Sequence, residues 1–179
     1  VRYARGYGHF RQGQDHRGTL VHVDSRFSMT GANADDWVYV KPGMVGVLAL
    51  SIAQVIISKG LGDSAATDAL TGGGAVDLSQ FSPDRVEAEV GVSPDRIRRV
   101  ATDFASRRPS LAIGGGSAAA HTNGLFNLVA IYSLNYLVGA VGQPGGIVFN
   151  PGPALDGTPD ALTTTPFSEW RRLVEQMKS

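Results

Sequence analysis

Residues 19–60 read TLVHVDSRFSMTGANADDWVYVKPGMVGVLALSIAQVIISKG, and this stretch decides the fold. Thr19 to Asp24 is a β-rich run ended by an acid, which predicts a short strand. Small and polar residues over 25–36 predict a loop with one turn, and 37–40 a second short strand. Pro42-Gly43 then breaks the chain. Val47, Leu48, Leu50, Ile52, Val55 and Ile56 surround most of the next segment's circumference, so a buried helix is expected over 45–59.

Further along, Ser82-Pro83-Asp84-Arg85 and Ser93-Pro94-Asp95-Arg96 each set Ser before Pro and Asp, the signature of a helix start. In the second of these helices Ile97, Val100, Ala101 and Phe104 fall on one face. Residues 110–113 predict another strand, ending in Gly114-Gly115-Gly116-Ser117, and a helix follows over 123–138. Residues 72–74 and 150–165 read as loops and 166–178 as an amphipathic helix. Strands alternating with helices argue for an α/β domain with a parallel sheet. The expected division is a surface segment over 1–18, the α/β domain over 19–149, and a loop and terminal helix over 150–179. A start at Val1 and a last helix that runs into the chain end suggest part of a larger polypeptide.

Composition excludes several functions. Sixteen Lys and Arg balance sixteen Asp and Glu, which argues against broad attraction to nucleic acid or anionic lipid. With no cysteine, these residues supply neither a disulfide nor a thiolate-held iron–sulfur or zinc site. His9, His16, His22 and His121 lack metal-ligand spacing. The apolar stretches 45–57 and 125–141 are too short, or too interrupted by Asn127, Ser133 and Asn135, to be membrane spans.

Two places resemble a nucleotide site. Asp24 stands just past a strand end, where a carboxylate meets a ribose or guanine edge. Gly114 and Gly115 would let backbone amides approach an anion, although the run lacks both the P-loop Lys and the dinucleotide fingerprint. A tight turn that lets strand and helix pack closely is the plainer reading of the glycines. Arg5, Arg11, Arg26 and Lys41 are candidate phosphate partners; solvated surface charges are the plainer reading. Trp37 and Phe126 are expected in the core. Adjacent Asp35 and Asp36 should point apart. His121-Thr122-Asn123 is the best-placed polar cluster, and capping by Thr122 or Asn123 is favoured there over catalysis. No nucleophile elbow surrounds any serine.

Taken together, Val21-His22-Val23-Asp24-Ser25-Arg26, Ser28, Thr30, Ala34-Asp35 and Lys41-Pro42-Gly43 resemble one block of the molybdopterin oxidoreductases, the dimethyl sulfoxide reductase family. Gly114–Gly116, His121-Thr122-Asn123-Gly124, Leu134-Asn135, Gly139 and Gly142-Gln143-Pro144-Gly145-Gly146 resemble a second. The blocks lie between residues 19 and 146, in the family's order and spacing. Phe10-Arg11-Gln12-Gly13, Asn33-Ala34-Asp35-Asp36-Trp37 and Ala119-Ala120-His121-Thr122-Asn123-Gly124 are most similar to the branch containing the iron–sulfur large subunit of alternative complex III.

That resemblance implies a Rossmann-like domain of the molybdopterin type, present as a fragment. It also implies a parent quinol oxidoreductase on the periplasmic side of a bacterial membrane, serving respiration or photosynthesis. Iron–sulfur clusters would lie elsewhere in the subunit, and c-type haem and quinone-binding subunits would be partners. Where a guanine dinucleotide of the molybdenum bis-pterin cofactor is bound, Asp24, Arg26, Thr30, Lys41, Gly43, Gly114 and Gly115 are the implied contacts. In cofactor-holding relatives the turn after Pro-Gly carries a Thr-Asp or Ser-Asp pair that binds guanosine. Here those positions are Met44 and Val45, and Ser25 replaces a Pro. A buried guanine edge left unpaired costs about 1–3 kcal/mol per group. The expectation is a scaffold without catalytic or metal-binding residues and without a cofactor of its own; the alternative is a cofactor-binding domain of a working polysulfide- or dimethyl-sulfoxide-type reductase.

Overall fold

The computed structural model describes residues 2–12, 17–71 and 77–149; the expected loops at 72–74 and 150–165, the helix at 166–178 and Gly13 lie outside the described residues. The chain divides into two units, Val1–Val148 and Phe149–Ser179, and the first carries everything that follows. Its helices are α1 (Arg2–Gln12), α2 (Met29–Ala32), α3 (Val45–Ser58), α4 (Ser64–Thr71), α5 (Pro83–Val90), α6 (Pro94–Ser106) and α7 (Gly124–Leu137). Its strands are β1 (Val21–Asp24) and β2 (Asp36–Tyr39).

The strands pair in parallel with Val21 opposite Asp36 and Asp24 opposite Tyr39. Parallel strands need a connection of about a dozen residues, and the link holding α2 supplies it. Ser28 caps α2 by accepting from the Gly31 amide. The result is a helix-rich α/β unit with a two-stranded parallel sheet.

Helix α3 is the hub. It packs against α7, α6 and α5, with Leu48, Ile52, Val55 and Ile56 buried in one cluster with Val38, Val86, Val90, Ile97, Ala101, Leu134 and Leu137. The face predicted for α6 is the one that is buried. Arg96 joins α6 to the sheet by bonding Asp36 and the Trp37 carbonyl (2.6 Å).

Four local expectations change. Ser82 and Ser93 precede their helices as predicted, yet neither side chain caps; Pro at the first position removes one orphan amide. Residues 110–113 form no ladder. Both backbone groups of Ala112 are taken by the Asn135 carboxamide, at 2.7 Å from the amide and 2.8 Å to the carbonyl. Phe126 is 43% exposed rather than in the core. Segment 1–18, expected only as a surface segment, is helical over Arg2–Gln12 despite Gly6 and Gly8, each costing about 1 kcal/mol.

Tertiary bonds hold that helix. Buried Arg11 grips Asp35 and donates to the Gly18 carbonyl (2.9 Å), and Tyr7 donates to the Asn33 carbonyl (3.2 Å). Asp35 also accepts from the Leu20 amide (2.8 Å) and Arg17 (3.0 Å). The Arg11 hydrogen bonds, then the Leu20 amide, hold the Asp35 carboxyl far below the ordinary carboxylate range. A depressed pKa gives stability that is complete above the unfolded value of about 3.9 and is lost as pH falls through the folded one. Urea midpoints of the native protein should therefore drop steeply below about pH 4. Asp35→Asn should be less stable at neutral pH, with a flatter acid limb. Parallel limbs for the two proteins would show that Asp35 does not drive the loss.

Candidate functional site

The two nucleotide-like places meet. Asp24 ends β1, and its Oδ1 accepts from the Arg26 amide (3.3 Å), from Ser25 Oγ (3.4 Å) and from Ser117 Oγ (3.2 Å). The last bond crosses 93 residues and brings the glycine loop to the strand end. Asp24 Oδ2 faces His22 Nε2 at 3.8 Å, and the same ring nitrogen lies 3.2 Å from Ser28 Oγ. Serine and carboxylate thus share one imidazole nitrogen, so the three do not form a relay, in which each ring nitrogen has its own partner.

The Pro42-Gly43 turn lies beside the next part of the glycine segment. Gly43 has φ +81°, the left-handed region open to glycine. A Cβ added there would lie 4.0 Å from the ring of His121 and from Asn123 Oδ1. Asn123 donates to the Gly43 carbonyl at 2.9 Å. It precedes α7 without a side-chain capping bond, so its side chain staples two loops.

Helix α3 opens directly behind this turn. Met44 and Val45 pack against the hydrophobic core. The Gly46 amide donates to Asn127 Oδ1 (3.1 Å), and Asn127 Nδ2 donates to the Ala118 carbonyl (2.9 Å). Asn127 is fully buried. It therefore caps α3 from α7 and anchors the turn after the glycine run. In the sequence Asn127 stands out only as an interruption of an apolar segment, and Asn135 as that and as part of the second family-like block. Buried polar side chains are almost always bonded, and that was the available signal.

The remaining candidates are dispersed. Lys41 turns away and donates to the Ala88 carbonyl (2.7 Å) at the end of α5, where a cation meets the negative helix terminus. Arg11 is committed to Asp35, and Arg5 is exposed on α1. Arg26 and Thr30 are exposed, and no side-chain bond ties either to Asp24. A Cβ added at Gly114 would come within 3.0 Å of the Leu128 and Ile131 side chains, whereas Gly115 is open. Asp35 and Asp36 point apart to Arg11 and Arg96, as expected. Among the described residues no three His, Asp or Glu side chains cluster to hold a metal, and no helix is long and apolar enough to cross a membrane.

The residues present do not fit the guanosine end of a pterin dinucleotide. Met44 and Val45, which the resemblance places against the base, are apolar and half-buried against the core. The basic residue beside them bonds the end of α5, and the Gly46 amide is capped from within by Asn127.

No protein-family model matches the chain. It is 31% identical over 162 residues to the molybdopterin-containing subunit of the arsenate respiratory reductase of Chrysiogenes arsenatis, covering 76% of this chain and 19% of that one. It is 31% identical over 147 residues to the molybdopterin-binding-like subunit of the menaquinone reductase of Nitratidesulfovibrio vulgaris, covering 82% and 20%. The dimethyl sulfoxide reductase DmsA of Escherichia coli is 27% identical over 150 residues, covering 71% and 18%. The chain thus spans about a fifth of the length of the curated relatives it matches. Among solved structures, acetylene hydratase from Pelobacter acetylenicus superposes with a TM-score of 0.59 over 68% of this chain and 17% of that one; at 23% identity this shows the fold.

Proposed function

The chain is a homologue of the molybdopterin-containing oxidoreductase subunits, the dimethyl sulfoxide reductase family, and from that premise we propose that it is a non-catalytic scaffold portion of such a large subunit. The parent is a membrane-associated quinol oxidoreductase of the alternative complex III type, working in respiratory or photosynthetic electron transfer on the periplasmic side. Iron–sulfur clusters belong to other parts of that subunit. Partner subunits carry c-type haem and the quinone site.

The observation that carries this reading is the opening of α3. Met44 and Val45 offer neither hydroxyl nor carboxylate, and Asn127 already satisfies the Gly46 amide. The name of one relative, a molybdopterin-binding-like subunit of a menaquinone reductase, agrees with a domain that keeps the shape and works beside a quinone.

A second reading is that the segment binds a molybdenum bis-pterin guanine dinucleotide in a working reductase. It is favoured by the meeting of Asp24 with the glycine loop and by relatives named as molybdopterin-containing. Lys41→Ala in the parent protein separates the two. Under the scaffold reading it removes a helix-end contact worth about 0.3–1 kcal/mol and leaves molybdenum content unchanged. Loss of molybdenum on that substitution would overturn the scaffold reading.

A further inference from the structure

We propose that the outward face of α1, with the cleft beside it, docks a carboxylate-rich segment of a second polypeptide of different sequence. Residues 1–18 hold four arginines and one aspartate, whereas the rest of the chain holds twelve basic residues against fifteen acidic ones. The zero net charge of the whole therefore hides a cationic stretch. Tyr7 and Arg11 attach α1 through Asn33, Gly18 and Asp35. Arg5, His9 and Gln12 follow one another at spacings of four and three residues, so they share the opposite face of the helix. All three are exposed, and among the described residues neither Arg5 nor His9 has a hydrogen bond or ion pair. A face that only meets water ordinarily mixes both signs of charge; α1 contains no acidic residue.

The same surface runs into the fold. Gln12 and Arg17, together with Ala32 and Asn33, line an open cleft of about 570 Å³, within the size range of pockets that hold ligands. Arg11 and Arg17 share the single carboxylate of Asp35, so the cleft keeps one positive charge in excess. Arg17 is 64% exposed and bonds Asp35 through one nitrogen. A guanidinium matches a carboxylate through two parallel hydrogen bonds, which makes an acidic side chain the fitting occupant. A lipid surface would instead select a helix face with apolar side chains that enter the acyl boundary, and Arg5, His9 and Gln12 offer none. Permanent contacts resemble a domain core, whereas arginine with exposed aromatics, here Tyr7 and Phe10, marks association between chains. The docking does not depend on whether a cofactor is bound.

The test uses the intact parent complex carrying Arg5→Lys, which keeps the charge and adds an amine that a carbodiimide joins directly to a touching carboxylate. Position 5 is expected to join to Asp or Glu of another polypeptide. Arg5→Glu should then raise the dissociation constant of that polypeptide about tenfold or more, with release at lower salt. Arg5 has no bond among the described residues, so neither substitution disturbs the attachment of α1. No joining at position 5, joining within the same polypeptide or to a second copy, or an unchanged dissociation constant would overturn the proposal. So would binding of the complex to phosphatidylglycerol vesicles that Arg5→Glu abolishes while every polypeptide stays in place.

Discussion

Asn127→Ala is expected to destabilise the protein by about 2–5 kcal/mol, because it strands two buried backbone groups at once. The Gly46 amide at the start of α3 and the Ala118 carbonyl after the glycine loop would each lose their partner. Water cannot replace it readily, since the side chain is fully buried. Asn127→Leu fills the space and should cost nearly as much, which separates lost hydrogen bonds from a cavity. Denaturant midpoints at constant slope would measure both. A loss under 1 kcal/mol in both variants would mean α3 does not depend on α7 for its cap.

Asn135→Ala should cost a similar amount, about 2–5 kcal/mol, by freeing the amide and carbonyl of Ala112. The two asparagines lie eight residues apart on α7, roughly 12 Å along its axis, and share no partner. Their effects should therefore add within about 0.5 kcal/mol. The sum reaches the whole stability of an ordinary domain, about 5–15 kcal/mol, so the double variant is expected not to fold. A folded double variant with near-native midpoint would refute the view that α7 organises the loops through its asparagines.

The elements that local pattern encodes were legible. β-rich runs point to β1 and β2, apolar runs to α3 and α7, one-faced periodicity to α6, and Ser-Pro-Asp to the starts of α5 and α6. What could not be read depends on contacts far apart in sequence. Helix α1 has poor intrinsic propensity and exists through Arg11, whose partner Asp35 is 24 residues away. The strand expected at 110–113 has the right residues, but a strand is defined by its neighbour, and Asn135 stands there instead. Asp24 and the glycine loop were each marked as candidates, whereas their contact through Ser117 required the fold. Lys41 illustrates the opposite limit: a Lys beside a Pro-Gly turn says nothing of direction, and its ammonium donates to the Ala88 carbonyl near the end of α5.

Met44 and Val45 carry the most weight of any two residues, because a hydroxyl and a carboxylate at those positions would reverse the functional reading. Both are half-buried and pack against the core, offering apolar surface where a guanine edge would need polar partners. The direct test is the molybdenum, tungsten and released pterin content of the intact purified parent protein. The scaffold account predicts neither metal nor pterin; about one metal per large subunit, with pterin and guanosine monophosphate released on denaturation, would contradict it.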